Sequence, residues 1–186
     1  ERYPRKSISC ITYTNNAVSE IRSRVSNDYL WVSTIHEFIW HTISKFQTEI
    51  RETITELIDD TADKTKLFKK PKGFNEDTTF EVEFFNNKNI LYEEYYSLSS
   101  EKESKISHDH ILVLAEAMFR RYPKLSDILR DSSNFIFVDE YQDTSPLIKE
   151  ILLTHSVNNS GKHCIIGFFG DAMQSIYPDG IGNLDD

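Results

Sequence analysis

Apolar runs and apolar residues at helical spacing alternate along the chain, and this alternation predicts strands joined by helices. The short apolar runs at 8–13, 135–138 and 164–169 predict strands. The run at 135–138 shows no alternation with polar residues, which is typical of a strand buried on both faces of a parallel sheet. Apolar positions spaced by three and four follow at 17–25 and at 147–152 and predict helices. The chain is therefore predicted to be α/β.

Polar residues at three places have the pattern of helix N-caps, whose side chains accept hydrogen bonds from the first free backbone N–H groups. Residues 14–16 precede the first predicted helix, and the Ser-Pro pair at 145–146 precedes a later one. Thr34-Ile35-His36-Glu37 has the Ser/Thr-x-x-Glu pattern of a capping box. After this box, apolar residues step by threes and fours as far as Asp59 and predict one long helix: Ile35, Ile39, Ile43, Phe46, Ile50, Ile54 and Leu57.

The segment 61–105 differs in composition from the rest of the chain and predicts a small mixed α/β insertion outside the sheet. The stretches 80–84 and 90–95, separated by the polar residues 86–89, predict a β-hairpin with its turn at 86–89. Lysines cluster around a Pro-Lys-Gly turn before the hairpin. These lysines are Lys64, Lys66, Lys69, Lys70 and Lys72. They could contact phosphates, but the Glu-rich strands beside them favour a solvated loop.

A polar linker at 99–107 and an amphipathic helix at 111–122 are predicted to lead the chain back to the sheet. His108 and His110 stand at the start of this helix. Because no Cys or third ligand is near them in sequence, they are predicted to be surface residues rather than a metal site.

At 186 residues the chain is long enough for one substantial core and a small appended subdomain. The predicted domain organisation is a first core segment at 1–47, an inserted subdomain at 48–106 and a second core segment at 107–186.

Charge and apolar content narrow the classes of partner. The net charge of −9 excludes a surface coated in basic residues, so any nucleic acid must bind in a local groove. No apolar run approaches the roughly 18 residues of a membrane span and no signal peptide opens the sequence, so we expect no membrane partner and a cytoplasmic location. Cys10 and Cys164 lie in apolar segments and are predicted to be reduced core residues.

Two adjacent carboxylates, Asp139 and Glu140, follow the predicted strand at 135–138. In open α/β sheets, ligands bind outside the carboxyl ends of the strands. Asp139 could hold Mg²⁺ there while Glu140 polarises an attacking water, which is the division of labour that phosphoryl transfer needs. An acidic pair can also simply end a strand in solvent. The residues that follow must therefore distinguish a phosphoryl-transfer site from a solvated strand end.

Those residues resemble motifs of the UvrD/Rep-like superfamily 1 helicases. The decapeptide 135–144, Phe-Ile-Phe-Val-Asp-Glu-Tyr-Gln-Asp-Thr, resembles the family's Walker B segment, and the stretch 11–25 resembles its motif Ia. The octapeptide 170–177, Gly-Asp-Ala-Met-Gln-Ser-Ile-Tyr, resembles motif III. Thr34–Phe38 is similar to the Thr-Phe-His-Ser-Phe segment at which the family's chain leaves the ATPase core for an inserted subdomain.

The resemblance implies a RecA-like parallel sheet flanked by helices, with a small mixed α/β insertion. It implies an ATP-dependent DNA helicase or translocase that uses ATP and Mg²⁺ and moves on single-stranded DNA in the 3′→5′ direction. The nucleotide-site residues carried over are Asp139 as the Mg²⁺ ligand, Glu140 as the residue that activates water and Gln174 as the sensor of the terminal phosphate. The DNA contacts carried over are Tyr13, Thr14, Asn15, His36 and Tyr177.

This chain departs from the family pattern at two motifs and lacks a third. Asn16 stands where the family usually has Lys, and 178–182 lacks a further aromatic and an Arg that commonly follow motif III. These departures suggest a divergent branch, similar to the helicase-like partner of a nuclease in Gabija anti-phage defence. The sequence contains no Gly-x-x-x-x-Gly-Lys-Ser/Thr P-loop. The resemblance therefore implies a piece of the first RecA-like domain that starts after the P-loop and works with a second RecA-like domain of the same protein.

Two other classes of function remain open at this point. A Mg²⁺-dependent nuclease could use Asp139, Glu140 and Asp171 without a P-loop. A non-catalytic interaction domain could keep the helicase shape after losing nucleotide binding.

Overall fold

A parallel sheet lies in the first of the two units into which the chain folds. That unit contains the residues up to Phe38 and from Tyr122 onwards, and the second unit is Ile39–Arg121. The computed structural model describes residues 7–60, 66–75, 77–155, 164–171 and 173. The bounds of the two units differ from those of the predicted domains, whose assignment stays a prediction: 1–47, 48–106 and 107–186.

Strands and helices alternate through most of the described residues. The strands are β1 (Ile8–Thr12), β2 (Leu30–Thr34), β3 (Ile90–Tyr92), β4 (Ser104–Ile106), β5 (Phe135–Asp139) and β6 (Ile165–Phe169). The α-helices are α1 (Asn15–Arg24), α2 (Ile35–Ile43), α3 (Gln47–Asp59), α4 (His108–Arg121), α5 (Lys124–Ser132) and α6 (Pro146–Lys149). Short 3₁₀ helices occur at Val82–Phe85 and Tyr141–Asp143, and a π-helix follows α6 at Glu150–His155. No helix in the described ranges is long and apolar enough to cross a membrane.

The sheet of the first unit has the strand order β2-β1-β5-β6, and all neighbouring strands are parallel. This confirms the predicted α/β fold with a parallel sheet and flanking helices. Ile11 of β1 pairs with Val138 of β5, and both side chains are fully buried. Because the strands are parallel, their last residues share one side of the sheet, which we call the carboxyl edge: Thr34, Thr12, Asp139 and Phe169.

Burial of β5 alternates along the strand, so the prediction that it is buried on both faces is wrong. Ile136 and Val138 are fully buried, whereas Phe135 and Phe137 are only half-buried. On the face of Phe137, the paired position on β6 is Gly167, which has no side chain to cover the ring. Phe137 instead packs edge-on against Phe169, which is itself exposed.

Side chains cap the helices of the first unit where the sequence predicts caps. The Thr14 hydroxyl accepts a hydrogen bond from the first turn of α1 (3.2 Å), and the Ser145 hydroxyl does the same for α6 (3.3 Å). At α2 the capping box is reciprocal: Thr34 Oγ1 accepts from Glu37 N (3.3 Å), and Glu37 Oε2 accepts from Thr34 N (3.1 Å). Local sequence therefore determines where these helices begin.

The single long helix predicted to run from Thr34 to Leu57 is wrong, because it consists of the two helices α2 and α3. The break lies between Ile43 and Gln47, where Phe46 N donates to Ile43 O (2.9 Å) as in a tight turn. Gln47 Nε2 donates to Ser44 O (2.8 Å) across the break. Ile43 before the break and Ile50 after it are both fully buried, so the apolar spacing continues although the helix does not.

The predicted hairpin at 80–95 in the second unit is also wrong. Val82–Phe85 is a 3₁₀ helix that ends at Asn86 and Asn87, both in the left-handed conformation. β3 pairs in parallel with β4, which lies within the stretch predicted to be a polar linker. The segment is not a strand because its aromatic rings pack against one another instead of alternating between two faces. The ring centroids are 4.9 to 5.9 Å apart in a cluster of four residues: Phe74, Phe80, Phe84 and Phe85.

His110 is buried at 5 % exposure, so the prediction that it lies on the surface is wrong, whereas His108 is exposed as predicted. The ring of His110 stacks on Tyr96 with 4.3 Å between centroids. Its Nδ1 is 2.7 Å from Ser107 Oγ and its Nε2 is 3.2 Å from Leu67 O. Helix α4 starts at His108, so His110 lies in its first turn and faces the core of this unit.

Candidate functional site

The acidic pair lies at the carboxyl edge of the sheet, where the parallel topology brings the ends of four strands together. Asp139 is the last residue of β5 and is partly exposed. Burial raises the pKa of the Asp139 carboxyl, and the negative charge of Glu140 raises it further, while the Glu140 backbone N–H opposes this rise. A carboxylate whose charge is disfavoured in this way gains stability when a cation binds beside it.

Thr12 ends β1 at the same edge. One pair before the strand ends, Ile11 of β1 lies opposite Val138 of β5, so Thr12 and Asp139 follow as neighbours. The Thr12 hydroxyl is buried at 1 % exposure and has no hydrogen-bond partner among the described residues. Because the Thr12 hydroxyl is closed off from solvent, the hard oxygen donor that fits a Mg²⁺ ion with its water shell at this edge is the Asp139 carboxylate.

Glu140 turns sharply away from the strand. Its φ of 52° and ψ of 47° lie in the left-handed region, which a non-glycine residue rarely occupies. Glu140 O accepts from Asp143 N (3.0 Å), which starts the 3₁₀ helix Tyr141–Asp143 directly after the strand. Backbone strain of this kind costs on the order of 1 to 3 kcal/mol and clusters at functional sites. The strained turn leaves Glu140 exposed next to Asp139.

Gln142 connects Glu140 to the end of the neighbouring strand. Its Nε2 donates to Glu140 Oε2 (2.7 Å), and its Oε1 accepts from Asp171 N (3.2 Å), just beyond β6. Gln142 is 1 % exposed. A Cβ on Gly170 would lie 2.0 Å from Gln142 Oε1, so only glycine fits there.

Gln142, Gly170 and Thr12 were not among the residues to which the sequence assigned a role. Gln142 and Gly170 lie in the segments that resemble the Walker B segment and motif III. Neither residue type by itself indicates a hydrogen bond that spans 29 positions of the chain.

The structure locates the predicted DNA contacts after the neighbouring strands β1 and β2. Tyr13 follows β1 and is 44 % exposed, and Asn15 is an exposed first residue of α1. Thr14 uses its hydroxyl as the N-cap of α1. His36 lies in the first turn of α2 and is only 8 % exposed. Tyr13 and Asn15 thus lie at the edge that carries Asp139, whereas most of the His36 side chain is covered.

The other predicted site residues, Gln174 and Tyr177, lie outside the described residues. Asp171 is described and is exposed, and its Oδ1 accepts from Met173 N (2.9 Å). The described ranges contain no group of three or more His, Cys, Asp or Glu side chains placed to hold a metal ion. The three-carboxylate site of the nuclease alternative is therefore not assembled in the part of the chain that the structure describes.

A parallel sheet with an acidic pair after a central strand, and polar turns after the strands beside it, defines the chain as a RecA-like domain. The model of the UvrD/REP helicase N-terminal domain family matches residues 1–91 and 49–178. The chain belongs to this family, which confirms the resemblance that the motifs carry.

Full-length relatives agree with this assignment. The Gabija protein GajB of Bacillus cereus (strain HuB5-5) is 28 % identical over 253 residues, which cover 95 % of this chain and 37 % of GajB. The ATP-dependent DNA helicase PcrA of Bacillus subtilis (strain 168) is 25 % identical over 203 residues, which cover 91 % of this chain and 27 % of PcrA. PcrA of Staphylococcus epidermidis (strain ATCC 35984) is 27 % identical over 205 residues, with the same coverage. The chain thus spans between 27 % and 37 % of the length of these relatives.

Proposed function

We propose that this chain is part of the ATP-hydrolysing core of a DNA helicase or translocase that moves on single-stranded DNA. Family membership supports the proposal, as does the similarity to PcrA, an ATP-dependent DNA helicase. The observation that carries it is the position of Asp139 and the strained Glu140 at the carboxyl edge, where open α/β sheets bind their ligands.

In this proposal the two carboxylates have different tasks. Asp139 would hold Mg²⁺ through its water shell, and the ion would neutralise charge on the ATP phosphates. Glu140 would accept a proton from the water that attacks the terminal phosphate. Its side chain is exposed, so a water can reach it, and the Gln142 amide holds one of its two oxygens. The other oxygen is then oriented to receive the proton.

The remaining roles are those that the motifs imply. Gln174 would sense the terminal phosphate, and Tyr13, Thr14, Asn15, His36 and Tyr177 would contact DNA. For Thr14 the contact would be made by backbone or methyl group while the hydroxyl caps α1, and for His36 it would need more exposure than its 8 %. Movement in the 3′→5′ direction, a second RecA-like domain of the same protein and a nuclease partner complete the proposal. The similarity to the Gabija protein GajB supports placing this chain in the Gabija-type branch of the helicases, and the nuclease partner is inferred from that placement.

The test is the substitution Glu140→Gln in the full-length protein. Because the amide keeps the size of the side chain but cannot accept the proton as a base, hydrolysis should fall by at least about 100-fold. Nucleotide affinity should stay nearly unchanged, since Asp139 remains. Single-turnover hydrolysis of radiolabelled ATP and titration with a fluorescent ATP analogue separate the two effects. Hydrolysis at the parent rate in Glu140→Gln would contradict the assigned role, and absence of ATP binding in the parent would contradict the helicase proposal itself.

A further inference from the structure

Gln142 joins the ends of two neighbouring strands through a single buried side chain. It lies in the 3₁₀ helix after β5, and its amide contacts Glu140 on one side and the residue after Gly170 on the other. Both contacts are hydrogen bonds of ordinary length, 2.7 Å to Glu140 Oε2 and 3.2 Å from Asp171 N. The Gln142 side chain is 1 % exposed, whereas its partners Glu140 and Asp171 are exposed.

An amide is the side-chain group that can make both bonds without adding a charge. Its NH₂ group donates and its carbonyl oxygen accepts. A carboxyl group at this position would place a second negative charge against Glu140, and an ammonium or guanidinium group would have no acceptor for Asp171 N. The bond to Glu140 is also charge-assisted, which makes it stronger than a bond between neutral groups.

Gly170 leaves the space that the amide occupies. A Cβ at this position would lie 2.0 Å from Gln142 Oε1 and 3.0 Å from Tyr141 Cδ1, and the φ of 153° also disfavours other residues. Any larger residue would have to push the amide away from Asp171 N. The strand end at Gly170 and the orientation of Gln142 are therefore mutually dependent.

We propose that Gln142 is a positioning residue that holds the Glu140 carboxylate in place for ATP hydrolysis and links its position to the turn after β6. The inference rests on the proposed function of Glu140. Glu140 is otherwise an exposed side chain with several rotamers, and the bond from Gln142 removes part of that freedom before the reaction. Because the same amide accepts from Asp171 N, a shift of the turn after Gly170 would move Glu140 with it.

Substitutions in the full-length protein separate positioning from packing. Gln142→Met keeps the volume but removes both hydrogen bonds, and Gln142→Glu keeps an acceptor for Asp171 N but removes the donor to Glu140. Gly170→Ala leaves both Gln142 and Glu140 intact but displaces the amide. Gly73→Ala is the matched control, because Gly73 also has a positive φ, of 90°, but nothing lies within 4 Å of an added Cβ, and it belongs to the second unit.

The measurements are single-turnover hydrolysis of ATP and the affinity for a fluorescent ATP analogue, with circular dichroism to check folding. We expect Gln142→Met, Gln142→Glu and Gly170→Ala each to lower the hydrolysis rate by about 10- to 100-fold, the scale of a misplaced catalytic group. Nucleotide affinity should change by less than about threefold, since the Gln142 amide already bonds to Glu140 Oε2 and Asp171 N. Gly73→Ala should hydrolyse ATP at the parent rate.

Three results would overturn the inference or its link to the turn after β6. Parent-like hydrolysis in Gln142→Met would mean that the side chain only fills space, and a loss of affinity with an unchanged hydrolysis rate would mean that it serves binding. If Gln142 variants fail to fold, Gly170→Ala decides, because a parent-like rate in that variant contradicts the link to the turn. Glu140→Gln, measured alongside, distinguishes failure of the proposed function from failure of the positioning role. If Glu140→Gln retains hydrolysis, the proposed function of Glu140 fails. If only the Gln142 and Gly170 variants retain hydrolysis, the positioning role of Gln142 fails.

Discussion

Tyr13 offers the sharpest test of DNA binding at the carboxyl edge. It follows β1 directly and is 44 % exposed, so a base can reach part of this residue. Tyr29 provides a matched control in the same unit. It precedes β2 at the opposite, amino end of the sheet, and it is 50 % exposed. Its backbone O accepts from Ile8 N (2.8 Å), a bond that Tyr29→Ala retains.

The size of the expected effect follows from the exposed part of the ring. Stacking of one base on an aromatic side chain is worth about 1 to 3 kcal/mol. Because more than half of Tyr13 is already covered, we expect the lower part of this range, about 1 to 2 kcal/mol. Such a loss weakens binding by about 5- to 30-fold. Tyr29→Ala should change the affinity by less than about twofold, because the ring lies away from the carboxyl edge.

The assay is fluorescence anisotropy of a labelled oligothymidylate titrated with the full-length protein. All variants must be compared at one salt concentration, since binding to phosphates depends strongly on salt. Tyr13→Phe should bind like the parent, because stacking needs the ring and not the hydroxyl. Equal affinities of Tyr13→Ala and Tyr29→Ala would refute the assignment. Binding by Tyr13→Phe that is as weak as that of Tyr13→Ala would show that the hydroxyl, rather than stacking, makes the contact.

Two further predictions concern stability. Thr34→Ala removes the acceptor for Glu37 N in the capping box, so the first turn of α2 should lose about 1 kcal/mol of protection, measured by amide hydrogen exchange, while α1 stays unchanged. Burial lowers the pKa of His110 below 6.5 in the folded chain, although the bond to Leu67 O and the charge of Asp109 oppose this. The unfolded chain therefore binds more protons just below pH 6.5, and protection of α4 should fall as the pH drops through that value and level off below the folded-state pKa. The slope should vanish in His110→Gln, and a slope that survives this substitution would assign it to another group.

Features that depend on neighbouring residues could be predicted from the sequence. The capping box at Thr34 and the caps at Thr14 and Ser145 are each formed by side chains within three residues of the N–H groups that they accept from. The strand at 135–138 was predictable because an apolar run bounded by polar residues has few alternatives. The acidic pair could be assigned to the carboxyl edge because a parallel sheet puts every strand end there.

Features that depend on distant contacts could not be predicted in this way. The alternation in Phe80-Glu81-Val82-Glu83-Phe84 predicts a strand, but Phe74 from an earlier loop joins the same rings and favours a 3₁₀ turn. The pairing of β3 with β4 joins segments that have no common pattern. Helix α5 has no counterpart among the predicted helices, although its buried Leu125 and Leu129 are spaced by four.

The candidate site combines both kinds of feature, and this explains which of its parts were missed. Asp139 and Glu140 are recognisable because their chemistry depends on adjacent positions at the end of one strand. Gln142 has no function that is visible in its own segment, since its second partner is a backbone N–H after β6. Gly170 leaves the space in which the Gln142 amide reaches Asp171 N. A glycine at the end of a strand has many ordinary explanations, so it does not by itself indicate this contact. A residue whose role is to connect two motifs therefore becomes identifiable only when the sheet order β5-β6 is known, because that order makes the two strand ends neighbours.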